Sequence, residues 1–399
     1  MDEPWKTWLA EPLPRVVSDS DAIGGRIRVH DEDFVVEEIP AYEPSGEGEH
    51  LFLWIEKTGK NTHDVVRALA RTLGVSDQEV GTAGMKDRHA VTRQYVSVPW
   101  KAARAALAKD GGLADATGAS ATAAPSVTDV PSGTAGPSGT AGPSGTNDLP
   151  LGEGIRVLSA ALHGNRLRTG HLRGNRFEIR IRDVHPEAAE RIERAVARIE
   201  DHGIPNFYGE QRFGWDGQTV QLGLELLLKQ NDGRRVRRNL LRLALSAVQS
   251  VLFNRVLMER YVDGLLHQAV DGDLMQVAPA GGFFNVEDVP REQARLESGE
   301  ILLTGPMFGR KMRAPGGVAA DREGRVLSQA GLSPDAFHGH GKLLEGARRP
   351  LLVRPRNLEA VVDSDGVVVR FELPAGAYAT IVLREIMGAT PPDDRSTSR

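Results

Sequence analysis

No cysteine occurs in the 399 residues. That excludes disulfides, thiol nucleophiles and Cys-ligated zinc or iron–sulfur centres. No Gly-x-Gly-x-x-Gly turn, Walker loop, Gly-x-Ser-x-Gly elbow or His-Glu-x-x-His pair is present either, which removes the motif evidence for dinucleotide, nucleotide, serine-hydrolase or zinc-peptidase chemistry. His338 and His340 stand two apart between flexible glycines, too loose a pair to specify a metal. The first residues, Met1-Asp2-Glu3-Pro4-Trp5-Lys6, show no basic n-region and no apolar h-region, so no secretory signal is expected. No apolar run is expected to reach bilayer-spanning length. A soluble, cytoplasmic protein is the expectation, and a monomer.

The length is enough for two domains and more than one core. Charged residues make up 26% and hydrophobic ones 40%, as in ordinary globular proteins. A net charge of −5 gives no global attraction to nucleic acid, so the local distribution decides. Acidic residues gather early, at Asp31-Glu32-Asp33 and Glu37-Glu38. Basic ones gather in His163 to Arg182 and in Arg234 to Arg238. Such patches can follow a phosphate backbone even on a mildly acidic protein.

Along the chain, Ile27, Val29 and Phe34 to Val36 read as a hairpin-like unit, and His50 to Glu56 as a strand. Asn61 caps a helix expected to end at Gly74. Val91 to Val98 alternates as a strand. Ala102 to Ala108 can form a short helix before a composition break. Residues 131 to 146 repeat Pro-Ser-Gly-Thr-Ala-Gly, with Pro131, Pro137 and Pro143 at a period of six. That unit is too short and too poor in apolar side chains for a solenoid, so a flexible insert is expected. Order returns with a strand at Arg176 to Ile181 and a helix at Glu187 to Ile199. A long helix is expected over Arg235 to Tyr261. Strand character returns at Val367 to Leu373, the turn Pro374-Ala375-Gly376 leads on to Tyr378 to Leu383, and the tail from Thr390 looks disordered.

Four segments carry chemistry. In Gly84-Met85-Lys86-Asp87-Arg88-His89-Ala90-Val91 one carboxylate stands between two cations after a flexible stretch. Neighbouring positive charge favours an ionised carboxylate, and such a group at a strand edge can be a nucleophile or base. Taken alone, the segment reads equally as a solvated turn. The stretch from Leu162 to Phe177 interleaves cations, glycines, amides and an aromatic. Arg contacts phosphate, Asn donates and accepts, and Phe stacks on bases; a basic surface hairpin with Phe177 in the core fits as well. Pro205-Asn206-Phe207-Tyr208-Gly209-Glu210-Gln211-Arg212-Phe213-Gly214 reads as a structured loop whose aromatics also suit a core. Leu373-Pro374-Ala375-Gly376-Ala377-Tyr378 is a tight turn presenting Tyr378.

Taken together and in this order, with Asp33-Phe34-Val35-Val36-Glu37-Glu38 and Ala379-Thr380, these segments resemble the TruD family of tRNA pseudouridine synthases. The resemblance runs from about Gly24 to Gly388, interrupted by the repeat. It implies an α+β fold: a pseudouridine-synthase-type catalytic domain around an antiparallel or mixed sheet, with an inserted family-specific α/β domain. The expected partition is 15–202 (catalytic, with the insert at about 102–150), 203–353 (inserted domain), 354–389 (return segment) and 390–399 (tail). The implied reaction converts uridine, at position 13 of tRNA, to pseudouridine without cofactor or metal.

By resemblance Asp87 is the nucleophile, either adding to the sugar or assisting glycal formation. Arg28 stands where the family usually has Lys, as its basic partner; the charge is kept but the geometry differs. Phe34, Asn175, Phe177 and Tyr378 fall at positions that meet the flipped uridine. Phe177 replaces the Tyr of most other pseudouridine synthases and cannot accept a proton. Lys86, Arg88, Arg166, Arg173 and Arg212 are candidates for the RNA backbone. Extruding a base costs about a few kcal/mol, which aromatic faces can offset. The readings that compete are a non-catalytic tRNA-binding or folding factor with the same surface, and a hydrolase using Asp87, for which Glu210 is the nearest second carboxylate.

Overall fold

The computed structural model describes residues 3–109, 146, 149–229, 235–279 and 281–388. Residues 131–145 of the repeat, Arg234 and the tail from Thr390 lie outside the described residues. In chain order the elements begin with α1 (Pro4–Ala10), β1 (Phe34–Pro40), β2 (His50–Thr58), α2 (Thr62–Leu73), β3 (Gly81–Thr82), β4 (Val91–Pro99) and α3 (Trp100–Lys109). They continue with β5 (Ile155–His163), β6 (Leu172–Ile181), α4 (Ala188–His202), β7 (Ile204–Pro205), α5 (Gln218–Leu227), α6 (Arg238–Val262), β8 (Leu274–Val277) and β9 (Phe283–Asn285). Last come α7 (Val289–Glu297), β10 (Ile301–Met307), α8 (Gly317–Gln329), β11 (Ala347–Pro350), β12 (Leu352–Val353), β13 (Arg356–Asp363), β14 (Gly366–Pro374) and α9 (Ala379–Met387).

The chain divides into two units. One holds residues 23–193 and 355–377, the other 1–22, 194–354 and 378–399. The division differs from the expected return segment of 354–389, because α9 groups with the chain start. The carboxylate of Glu385, in the last turn of α9, accepts hydrogen bonds from the backbone N–H groups of Val16 (2.8 Å) and Val17 (3.0 Å), and Arg384 donates to the Leu13 carbonyl (3.0 Å). After the turn the chain is helical over Ala379–Met387, with Tyr378 as the N-cap residue.

The first unit is built on an eight-stranded sheet, in the order β13-β14-β6-β1-β4-β2-β5 with β3 on β4. Only β1 and β4 pair in parallel; the other neighbours are antiparallel. Register sorts its side chains. Val36 lies opposite Thr92 and Phe177, Thr92 opposite Lys57, and Phe177 opposite Phe371. Because directly paired residues share a face and successive residues alternate, one face carries Phe34, Val36, Glu38, Lys57, Thr92, Gln94, Asn175, Phe177 and Phe371. On that face Leu51, Leu53 and Ile55 bury against Val65, Leu69 and Leu73 of α2 and Ala103 of α3. The opposite face is a lattice of ion pairs, with Glu37 between Arg93 (3.3 Å) and Arg176 (3.0 Å) and Glu56 accepting from Arg93 (3.0 Å).

α2 forms where the cap predicts it: Asn61 and Asp64 make a reciprocal capping box, and Gly74 takes φ 64° at the end. The expected hairpin at Ile27 to Val36 does not form. Arg26 makes one isolated bridge to Arg182, and a short 3-10 turn at Asp31–Asp33 precedes β1. Asp33 causes this. Its buried carboxylate accepts from the His30 N–H (2.9 Å) and from Arg182 (2.7 Å), turning the chain instead of pairing it.

The second unit is organised around α6, whose Leu245, Val248, Leu252 and Phe253 meet α5 and the strand β10. Its four-stranded sheet runs β11-β10-β8-β9, and β12 pairs with β7. Contrary to expectation, α6 is long and apolar enough by length and composition to cross a bilayer, with a mean hydropathy of 1.3. It is nevertheless 67% buried inside the fold, as a core helix should be.

Candidate active site

Asp87 sits on the loop between β3 and β4, over the face that carries Asn175 and Phe177. The loop is held from beneath. The Lys86 backbone N–H donates to Thr62 Oγ1 at the start of α2 (2.9 Å), and that hydroxyl donates to Gln94 Oε1 (3.1 Å). Gln94 Nε2 donates in turn to the Gly84 carbonyl (3.3 Å). Thr62 and Gln94 are each only 1% exposed, so the brace is dry. Lys57 completes it: its ammonium, fully buried, donates to the carbonyls of Lys60 (2.7 Å) and of Asp87 itself. Burial pushes the Lys57 pKa down to about 8, with the Asp87 charge resisting the shift.

On this braced backbone the Asp87 carboxylate stands forward, 60% exposed, with Oδ2 3.2 Å from Arg28 Nη2. Arg28 has φ 58°, the left-handed region that costs a non-glycine residue about 1 kcal/mol or more. Its guanidinium lies over the Phe34 ring, 4.2 Å from the centroid. Beneath, Phe34 meets Phe177 edge-on at 6.5 Å, and Phe177 stacks on Phe371 at 5.2 Å.

Several expected roles change. Phe34 (1% exposed) and Phe177 (6%) are core residues whose faces are covered, not open platforms, because Arg28 and neighbouring rings occupy them. Lys86 does not face an RNA backbone. Its side chain is 4% exposed, 3.2 Å from the buried carboxylate of Glu38, and it donates to Asn175 Oδ1. Burial lowers the Lys86 pKa and raises that of Glu38, each against its partner's charge. Arg166 is committed to the carbonyls of Gln78 and Val80 (3.1 Å). Arg88 and Arg173 are exposed; Arg88 donates to the Gly59 carbonyl at 3.4 Å.

Arg212 and Tyr378 belong to the other unit. There Arg212 donates to Ser246 and Ser250 (3.2 Å) of α6, which fixes it as a strut. Tyr378 is the N-cap residue of α9, 41% exposed, with its ring edge against Tyr208 at 5.9 Å. Of the basic run before α6, Arg235, Arg237 and Arg238 are exposed. No group of three or more metal-ligating side chains is found among the described residues. Lys57 escaped the motif reading, and Glu38, quoted within the segment Asp33 to Glu38, was given no role there; both are charges buried within strands.

The sequence model of the family described as "tRNA pseudouridine synthase D (TruD)" matches residues 14–117, 144–234 and 231–386. A relative from Anaeromyxobacter sp. (strain Fw109-5), named tRNA pseudouridine synthase D, is 39% identical over 94% of this chain and 96% of its own. One of the same name from Thermus thermophilus is 38% identical over 94% and 92%. A crystal structure titled as a putative tRNA pseudouridine synthase D from Methanosarcina mazei shares the fold, with a TM-score of 0.66 at 23% identity over 96% of this chain and 99% of that one.

Proposed function

The chain belongs to the TruD family of tRNA pseudouridine synthases, and from that premise we propose that it converts uridine 13 of tRNA to pseudouridine with Asp87 as the nucleophile. Membership carries the class of enzyme, an isomerase that makes pseudouridine in tRNA. The target position and the residue roles are our own reading. We place the enzyme in the cytoplasm, acting as a monomer.

The observation that carries the reading is the contrast at residue 87: a carboxylate left 60% exposed on a backbone pinned by buried groups. A binding surface for phosphates gains nothing from an anion held forward in this way. A nucleophile gains orientation. The reaction is atom-balanced. The bond from C1′ to N1 breaks, a bond from C1′ to C5 forms, the C5 hydrogen leaves and N1 takes up a proton. Nothing is oxidised, so the balance requires no redox partner. Asp87 engages the ribose while the uracil turns, and Arg28 orients the carboxylate at 3.2 Å. The Arg28 guanidinium, packed over the Phe34 ring, is held in place to keep that contact with the carboxylate. Arg88 and Arg173 meet phosphates.

Asp87→Asn keeps the shape and removes the charge. It should abolish pseudouridine formation while leaving the tRNA dissociation constant within about threefold, as expected for a group that acts in the transition state. Turnover retained by Asp87→Asn, read by pseudouridine-specific chemical labelling, would remove Asp87 from the nucleophile's role.

A further inference from the structure

We propose that Lys86, paired with Glu38, is a positioning residue that locks the Asn175 amide in the one orientation able to read uracil and reject cytosine. The inference rests on the proposed reading of the Asp87 site and goes beyond it, to how the base is chosen.

An asparagine amide can be turned either way, offering its oxygen or its NH2. At Asn175 a buried partner decides. An ammonium only donates, so the atom facing Lys86 Nζ must be the amide oxygen, as found. Lys86 cannot swing away. Its side chain is 4% exposed, and Glu38, with a side chain of 0% exposure, holds its charge at 3.2 Å. Glu38 is itself fixed: it lies directly opposite Asn175 in the β1–β6 pair, and its Oε1 accepts from the Tyr95 N–H at 3.4 Å. The three side chains therefore form one rigid group on the face beneath Asp87.

With its oxygen committed, Asn175 has its NH2 left over. Nδ2 makes no hydrogen bond among the described residues. Asn175 is half-buried, and Nδ2 is not among the buried atoms lacking a partner, so it remains reachable from outside. An N–H donor pair fixed in this way donates to a carbonyl oxygen and repels an amino group. Uracil presents O4 where cytosine presents its N4 amino group, and a site with a fixed buried donor penalises the wrong partner strongly because one group is left unpaired.

The test uses the full chain carrying Asp87→Asn, so that binding is read without turnover, and two tRNA transcripts that differ only by U or C at the target. Uracil should be favoured by about tenfold or more. Lys86→Met with Glu38→Gln removes both charges together, so neither is orphaned. The preference should then fall towards one, with U binding weakened and C binding unchanged or improved. Adding Asn175→Ala to that variant should leave the preference near one.

Asn175→Asp provides a check that does not depend on how the core variant folds. One carboxylate oxygen pairs with Lys86 and the other accepts from the cytosine amino group, so the preference should invert. An undiminished uracil preference in the folded Lys86/Glu38 variant, or an equal loss for both transcripts, would overturn the proposal. So would uracil preference persisting in Asn175→Asp. Pseudouridine formation by the wild-type chain is scored separately: its absence defeats the functional reading, whereas its presence with an unchanged ratio defeats only this inference.

Discussion

Replacing Lys57 by Met isolates a buried charge that the site depends on. Met matches the length of the lysine stem and carries no proton. Two opposing effects follow from the structure. Removing the ammonium leaves the carbonyls of Lys60 and Asp87 without their donor, at about 1–3 kcal/mol each. It also relieves the cost of burying a cation. That cost is readable from the pKa, lowered from 10.5 to about 8 chiefly by desolvation. The difference corresponds to about 3 kcal/mol. Between pH 8 and 10.5 the unfolded chain holds a proton that the folded chain has released, so stability rises with pH across that window. The Lys57 contribution is fully present above 10.5 and is lost as the pH falls through about 8.

Near pH 7 the two effects largely cancel, and the variant should lie within about 2 kcal/mol of wild type. By pH 10.5 the wild type should have gained about 3 kcal/mol relative to Lys57→Met. Urea unfolding followed by circular dichroism at pH 7, 8, 9 and 10.5 measures this difference, and groups common to both proteins drop out of it. A wild-type-minus-variant difference independent of pH would refute the buried-cation account. Activity is read in parallel, because the same ammonium holds the Asp87 backbone. A fall in kcat of about tenfold is expected where the stabilities match.

Asp33→Ala leaves Arg182 and the His30 N–H facing a void in the turn before β1, and should destabilise by about 2–4 kcal/mol in thermal melts at pH 7. Burial opposes the Asp33 charge, but Arg182 and the His30 N–H outweigh it and lower the pKa, so the stabilisation is lost as the pH falls through the folded value. Melts at progressively lower pH should bring wild type and variant together. Deleting Ala121 to Asn147, across the Pro-Ser-Gly-Thr-Ala-Gly repeat, should leave pseudouridine formation within about twofold of wild type; a folded but inactive deletion would show that the insert matters.

Local rules were enough for much of the scaffold. Asn61 and Gly74 bracket α2 because capping is decided by a few neighbouring atoms, and β4 and β14 appear where alternation places them. The loop bearing Asp87 was conspicuous for its charges. What sequence did not reveal was which of those charges turn inwards. Lys86 and Asp87 are adjacent, yet one is buried and the other 60% exposed. That choice depends on Glu38 and Asn175, brought together by strand pairing across more than a hundred residues of chain. Phe34 was expected to stack on a base, and Phe177 read equally as a stacking or a core residue, because an aromatic in sequence does not disclose what covers it. The hairpin before β1 failed for the same kind of reason, since the Arg182 partner that turns the chain at Asp33 is remote. Non-local pairs escape pattern reading. A charged residue buried within a strand, as at Glu38 and Lys57, is the trace they leave.

The most direct test of the central claim is to incubate the purified chain with unmodified tRNA transcripts, without added metal or cofactor, and map pseudouridine by position. The account predicts one pseudouridine, at position 13, formed by the wild type and absent with Asp87→Asn. Product formed equally by Asp87→Asn, or none from a folded wild-type protein that binds the transcript, would contradict it.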